Sequence, residues 1–241
     1  MRIPPVVLLA LTIAGPAHAI PTLVSESRSV YVDFFAARQD SDEQLWWTRS
    51  QSPSLPFSGF AGNVSETFLG MTGTAIQNST ITPYHIHADG WAWGTADSIA
   101  HSEDSPSYDA MVNVLSQFTV TFSLVRPVSY DLSGVNWGWG YAASVVWLHS
   151  ANGDFSFGNG VDYYSRSGVL GPGVYTLEVF ANGGTSCIVP LGPDQWYGEG
   201  GEYEMDLRLK EIPETGSTGV FVVMALVGLV VLRRRMTIPR P

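Results

Sequence analysis

Cysteine, lysine and helical periodicity are what this chain has least of. A single cysteine, Cys187, in 241 residues excludes an internal disulfide and a cysteine-ligated zinc site. Lysine occurs once, as Lys210, and of the 12 basic residues four fall in the last nine positions, with Arg2 at the other extreme. Residues 20–214 therefore carry seven basic side chains against 22 acidic ones, a net charge of -15. A surface of that sign repels phosphate backbones, which excludes nucleic-acid binding. Charged residues make up 14% of the chain, below the usual quarter. No 12-residue stretch of the body repeats its apolar positions with a period of 3.6, so helices there are short. The Gly-x-Ser-x-Gly elbow, His-Glu-x-x-His and the phosphate loop are all missing.

What is present instead is alternation and turns. In residues 116–124 (SQFTVTFSL) the even positions after Ser116 are apolar and the odd ones polar, the pattern of a strand with one wet face. Residues 202–210 (EYEMDLRLK) alternate charged and apolar residues without a break. Further strands are expected over 29–35, 65–69, 75–81, 143–149 and 174–181. Gly is present 25 times and Pro 15 times. Pro172-Gly173 suits the centre of a type II turn, and Asn152-Gly153 and Asn182-Gly183 resemble hairpin turns. About eight to ten antiparallel strands over residues 20–211 imply one all-β domain, a two-sheet β-sandwich of jelly-roll-like kind.

The two ends read as addresses. Residues 1–19 have the form of a secretory signal peptide: Arg2, an apolar run over 6–14, and the small-x-small site Ala17-His18-Ala19, with cleavage after Ala19. Nine apolar residues followed by Gly15-Pro16 are too few to span a bilayer. Residues 212–241 fall into three parts. Ile212, Pro213, Glu214, Thr215, Gly216, Ser217 and Thr218 form a small, Pro-led polar segment. Residues 219–232 are uncharged and apolar, and Arg233, Arg234 and Arg235 stop them. Fourteen residues as a helix reach about 21 Å, against a hydrocarbon core of about 30 Å. Such a segment stalls in the inner membrane with its arginines on the cytoplasmic side.

Ile-Pro-Glu, a short apolar helix and a terminal arginine cluster resemble the PEP-CTERM sorting signal. The run Ile212 to Thr218 is closest to its VPDSG-type variant, with Ile for Val, Glu for Asp and Thr for Ser. It also resembles the Leu-Pro-x-Thr-Gly signal of Gram-positive sortases. The body favours the first, since residues 74–90, 115–124 and 167–180 are similar to the variable β domains of PEP-CTERM proteins. The resemblance implies a Gram-negative source and an envelope rich in exopolysaccharide. It also implies an exosortase-like enzyme that processes the tail of a membrane-anchored precursor, which then reaches the cell surface or the medium.

Three constellations in the body are candidates for chemistry. Trp91 and Trp93 are two apart, as are Trp137 and Trp139, so on a strand each pair shares one face. Such paired rings stack against sugars; equally, tryptophan fills the inner face of a sandwich, where it buries a large area. His85, His87 and Asp89 also share a face, and His-x-His with a carboxylate can ligate zinc or copper; exposed side chains are the plainer account. Asp154 and Asp162 lie with Asn152 in a Gly-rich region whose oxygens suit Ca²⁺, although Asn and Asp also serve ordinary turns. No pair of carboxylates is arranged for catalysis by spacing alone. Sequence thus points to a non-enzymatic, exported protein of the cell surface or extracellular matrix. A carbohydrate-binding module or adhesin is the first alternative, and a polysaccharide hydrolase or lyase the second.

Overall fold

The computed structural model describes residues 20–97, 106–140, 142–151, 153–158, 162–189 and 195–212. The signal-peptide reading (with Ala17 and Ala19) and the sorting tail from Pro213 through Arg235 lie outside the described residues. So does Asn152. Ile212 closes the described stretch and is exposed.

The chain from Ile20 to Lys210 lies in one compact unit. It is all-β, with twelve strands among the described residues and no helix. In chain order these are β1 (Thr22–Arg38), β2 (Gln44–Gln51), β3 (Phe60–Phe68), β4 (Met71–Ile81), β5 (His85–Asp97) and β6 (Tyr108–Leu124). They continue with β7 (Val128–Trp139), β8 (Ser144–Ser150), β9 (Phe155–Gly158), β10 (Asp162–Leu170), β11 (Gly173–Val189) and β12 (Trp196–Glu211). The strands form two six-stranded antiparallel sheets, ordered β2-β1-β6-β11-β8-β9 and β10-β7-β12-β5-β4-β3. From β5 onward every connection except the β8–β9 hairpin carries the chain from one sheet to the other.

The alternating segments behave as their periodicity demands. On β6 the even positions, including Phe118, Val120 and Phe122, are buried and the odd ones are not. On β12, Tyr203, Met205, Leu207 and Leu209 face inward while Glu202, Glu204, Arg208 and Lys210 face solvent. These two inner faces, with Phe34, Leu177 and Val179 of the first sheet and Ile86 of the second, enclose the core.

Two expectations are corrected. Twelve strands replace the expected eight to ten, because β2, β5, β9 and β10 lack a clean apolar alternation and that of β7 (Val128, Tyr130, Leu132) breaks after Ser133. Asn182-Gly183 is no hairpin turn but the middle of the 17-residue strand β11. Its glycines serve packing instead. A Cβ at Gly183 would stand 2.6 Å from the Ala92 carbonyl oxygen, and one at Gly94 would stand 2.6 Å from Gly184 Cα. The two sheets meet there backbone to backbone. Gly153, at φ +128°, lies in the hairpin that joins β8 to β9. Pro172 lies in the short link that takes the chain from β10 to β11 in the opposite sheet, and Gly173 opens β11.

Candidate functional site

The close approach of the sheets decides where the tryptophans go. On β5 the inward positions Ala88, Gly90, Ala92, Gly94 and Ala96 are all small and buried. Nothing larger fits against β11, so the bulky odd positions, Trp91 and Trp93, stand on the outer face of the second sheet. Trp137 and Trp139 of β7 also point outward, since Leu132 and Asn136 hold the buried parity. The inner-face location that hydrophobicity favours is therefore not the one the tryptophans occupy.

Trp93, Trp137 and Trp139 form a continuous row that Trp196 at the start of β12 extends, and Trp91 stands two residues from Trp93 on the same face. Trp93 lies parallel to Trp137 (centroids 6.3 Å apart, 6° between planes) and to Trp139 (5.5 Å, 3°), and Trp139 meets Trp196 at 5.5 Å. Strand β12 separates β5 from β7, so neighbouring strands alone would place the rings about two strand spacings, roughly 10 Å, apart. Glycine closes the gap. Gly200 pairs with Trp93 across the sheet, and a Cβ on it would lie 2.0 Å from the Trp93 ring. Gly198 likewise sits beneath the ring of Trp196, 2.7 Å from where its Cβ would be. Gly198 and Gly200 thus remove side chains from the outer face of β12 and let the rings lie over its backbone. Trp139 and Trp196 remain 44% and 46% exposed, and Trp91, Trp93 and Trp137 are half-buried. Trp91, Trp93 and Trp137 line an open groove with Gly201 and Glu202. A second groove shares Trp91 and Glu202 with it and runs on past Asp89, Glu204 and His87.

Beyond the groove, His85 and His87 converge on Asp206 of β12. His85 Nε2 is 2.8 Å from Asp206 Oδ2, and His87 Nδ1 is 3.7 Å from the same oxygen. Arg208 Nε donates to Asp206 Oδ1 at 2.8 Å. Partial burial pushes the Asp206 carboxyl up, but the hydrogen bonds from His85 and Arg208 outweigh it and hold it below the ordinary carboxylate range. Asp89 is occupied separately. It accepts from Asn78 Nδ2 at 3.0 Å and lies 3.4 Å from His87 Nε2.

The other sequence candidates are placed as follows. Asp154 belongs to the β8–β9 hairpin, where it accepts from the Ser150 amide at 3.1 Å and pairs with His149 at 3.3 Å. The hydrogen bond from His149, reinforced by that amide, lowers its pKa. This is turn chemistry. The side chain of Asp162 lies outside what is described. Among the described residues, no three or more His, Cys, Asp or Glu side chains are arranged to hold a metal ion, so the shared face of His85, His87 and Asp89 does not gather into a coordination sphere. Among the described residues the carboxyls with clearly displaced pKa values, Asp40, Asp154 and Asp206, are all lowered. Burial pushes the Cys187 thiol up, away from nucleophilic character.

Trp196, Gly198 and Gly200 escaped the reading of the sequence as parts of a site. Their signal was a glycine spacing of two at the head of an alternating strand. It becomes meaningful only once the register sets Gly200 against Trp93.

No family model matches the chain, and no curated protein matches it. Among solved structures there is a likeness to a GH31 alpha-xylosidase from Xanthomonas citri at 9% identity and a TM-score of 0.17. It covers 80% of this chain and 28% of that one, a degree of similarity that carries no argument.

Proposed function

We propose that this chain is an exported, non-catalytic β-sandwich of the cell surface or extracellular matrix. It holds a glycan on the outer face of its second sheet through Trp91, Trp93, Trp137 and Trp139. The observation that carries the reading is the row of outward tryptophans laid over a glycine floor. Leaving large rings half in water forgoes the burial that tryptophan ordinarily gains, and an open row of flat rings suits the CH-rich faces of sugars. The strand order β5-β12-β7-β10 against β6-β11-β8-β9 supports the jelly-roll reading, an architecture that lectin domains also use. In this proposal the tail is a PEP-CTERM-like signal processed by an exosortase-like enzyme after transient stalling in the inner membrane, and exopolysaccharide is the partner.

Two experiments test it. Intact mass of the protein from surface and medium fractions should give a species that begins at Ile20 and ends near residues 213–216. A membrane-bound form retaining Arg233 to Arg235 would sink the sorting reading. Titration of the full-length protein, in a detergent without a sugar headgroup, with linear oligosaccharides should change its tryptophan emission. W93A should lose the response. Absence of any response across neutral, basic and acidic oligosaccharides would remove the glycan reading.

A further inference from the structure

We infer that the groove takes a linear glycan bearing free, protonated amino groups, a partly or fully deacetylated amino-sugar polymer, with rings stacked on the tryptophans and amines set against the carboxylates beyond them. The inference rests on the glycan reading above and specifies its ligand.

The β5–β12 register builds the surface two residues at a time. Trp93 stands beside Gly200, Trp91 beside Glu202, Asp89 beside Glu204, and His87 beside Asp206. Each such step advances about 7 Å along the strands, so the aromatic and acidic stretches form consecutive parts of one track. Trp91 and Glu202 belong to both parts.

Among the described residues no side chain pairs with the carboxylate of Glu202 or Glu204. Arg208 is bound to Asp206, Asp131 of β7 adds a further negative charge near it, and Asn78 of β4 brings only an amide to Asp89. His85 and His87 face Asp206 and Asp89 rather than the two glutamates. A uronate or sulfated polymer would meet like charge along this track, at a cost that adds to the net -15 of residues 20–214. A neutral polymer could donate hydroxyl hydrogen bonds to Glu202 and Glu204 but would leave their charge uncompensated. An ammonium group gains charge-assisted hydrogen bonds, the stronger kind.

The test compares glucosamine hexaose with its fully N-acetylated counterpart and with a galacturonate hexamer. Binding to the full-length protein is read by tryptophan fluorescence and calorimetry at pH 5.5 and low salt. The amine form is expected to bind tightest, by about tenfold over the acetylated form, as one or two charge-assisted contacts would give, and the galacturonate form is expected to show no binding. E202Q/E204Q should collapse the ratio between amine and acetylated forms. D42N/E43Q, on the β1–β2 turn, removes the same charge elsewhere and should leave that ratio in place, which separates a local site from general attraction of a polycation. Equal affinity for the two forms overturns the inference while the glycan reading stands, as does an amine preference that E202Q/E204Q leaves untouched. No binding of any hexaose overturns both.

Discussion

At the scale of single residues the molecule turns on where a Cβ can exist. Gly94 and Gly200 are both crowded, but by different things. At Gly94 the obstacle is the backbone of Gly184 in the facing sheet; at Gly200 it is the ring of Trp93. A ring can swing aside and a strand cannot. Gly94→Ala should therefore cost about 3 kcal/mol, the upper part of the usual range for overpacking, and Gly200→Ala about 1. The second variant should instead alter near-UV circular dichroism, because Trp93 leaves its parallel arrangement. Equal losses in urea denaturation would mean that the sheets can part as easily as a side chain moves. Asp206 gives a pH-dependent counterpart. Its folded pKa is depressed by His85 and Arg208 despite partial burial, so its contribution is present above the unfolded carboxylate value of about 4 and is lost as pH falls through the lower folded value. Asp206→Asn should be less stable than the parent at neutral pH, with the gap closing below pH 4. A gap that widens in acid would contradict the assigned direction.

At the scale of elements, legibility followed the ordinary rule of apolar residues inward. Strands β6 and β12 were readable because one face is wet and the other packed. Strand β5 inverts the rule: alanine and glycine face the core and tryptophan and histidine face out. Hydrophobicity alone assigns Trp91 and Trp93 to the wrong side, and only the distance between sheets, a property of the folded pair, corrects it. Asn182-Gly183 misled for the same reason. There Asn182 pairs with Ala143 at the head of β8, its amide donating to the Ala143 carbonyl at 2.9 Å, while the following glycines admit the opposite sheet. The shared face of Trp137 and Trp139 was legible from spacing, but their approach to Trp93 across β12 was not. The edges show the remaining devices. Arg49 of β2 bonds Glu66 of β3 at 2.8 Å across one side of the sandwich. On the other side Phe157 of β9 stacks on Tyr164 of β10 at 4.5 Å. Tyr164 also donates its hydroxyl to the Glu204 carbonyl at 2.9 Å, and burial, with the charge of Glu204, raises its pKa. Tyr164→Phe keeps the stack and removes that bond, so it should cost about 1 kcal/mol in denaturant unfolding. A neutral result would show that water replaces the hydroxyl freely.

At the scale of the whole molecule, sequence-distant pairing dominates. Strand β1 pairs along most of its length with β6, and β6 with β11; β5 waits for β12, more than 100 residues later. The second sheet is not complete before the last strand is placed, because β12 sits between β5 and β7, and the first waits for β11, the last strand but one. Topology of this kind folds slowly, on the scale of milliseconds to seconds, and a chain with no independent half unfolds as one unit. With Trp46, Trp47 and Trp147 of the first sheet replaced by phenylalanine, tryptophan emission reports on the outer face of the second sheet, whereas far-UV circular dichroism reports on both sheets together. If the unit is cooperative, the two signals should trace a single urea transition with the same midpoint. If the tryptophan signal changes first, the second sheet opens on its own and the row is assembled on a separable element. The cooperative outcome ties the candidate groove to the whole fold. The Trp93–Trp139 alignment depends on Gly200, Gly200 on β12, and β12 on the closure of both sheets. A destabilising change in the core, Phe118→Ala for instance, should then lower the midpoint of the tryptophan signal and of the backbone signal by the same amount, although Phe118 lies in the opposite sheet from the row.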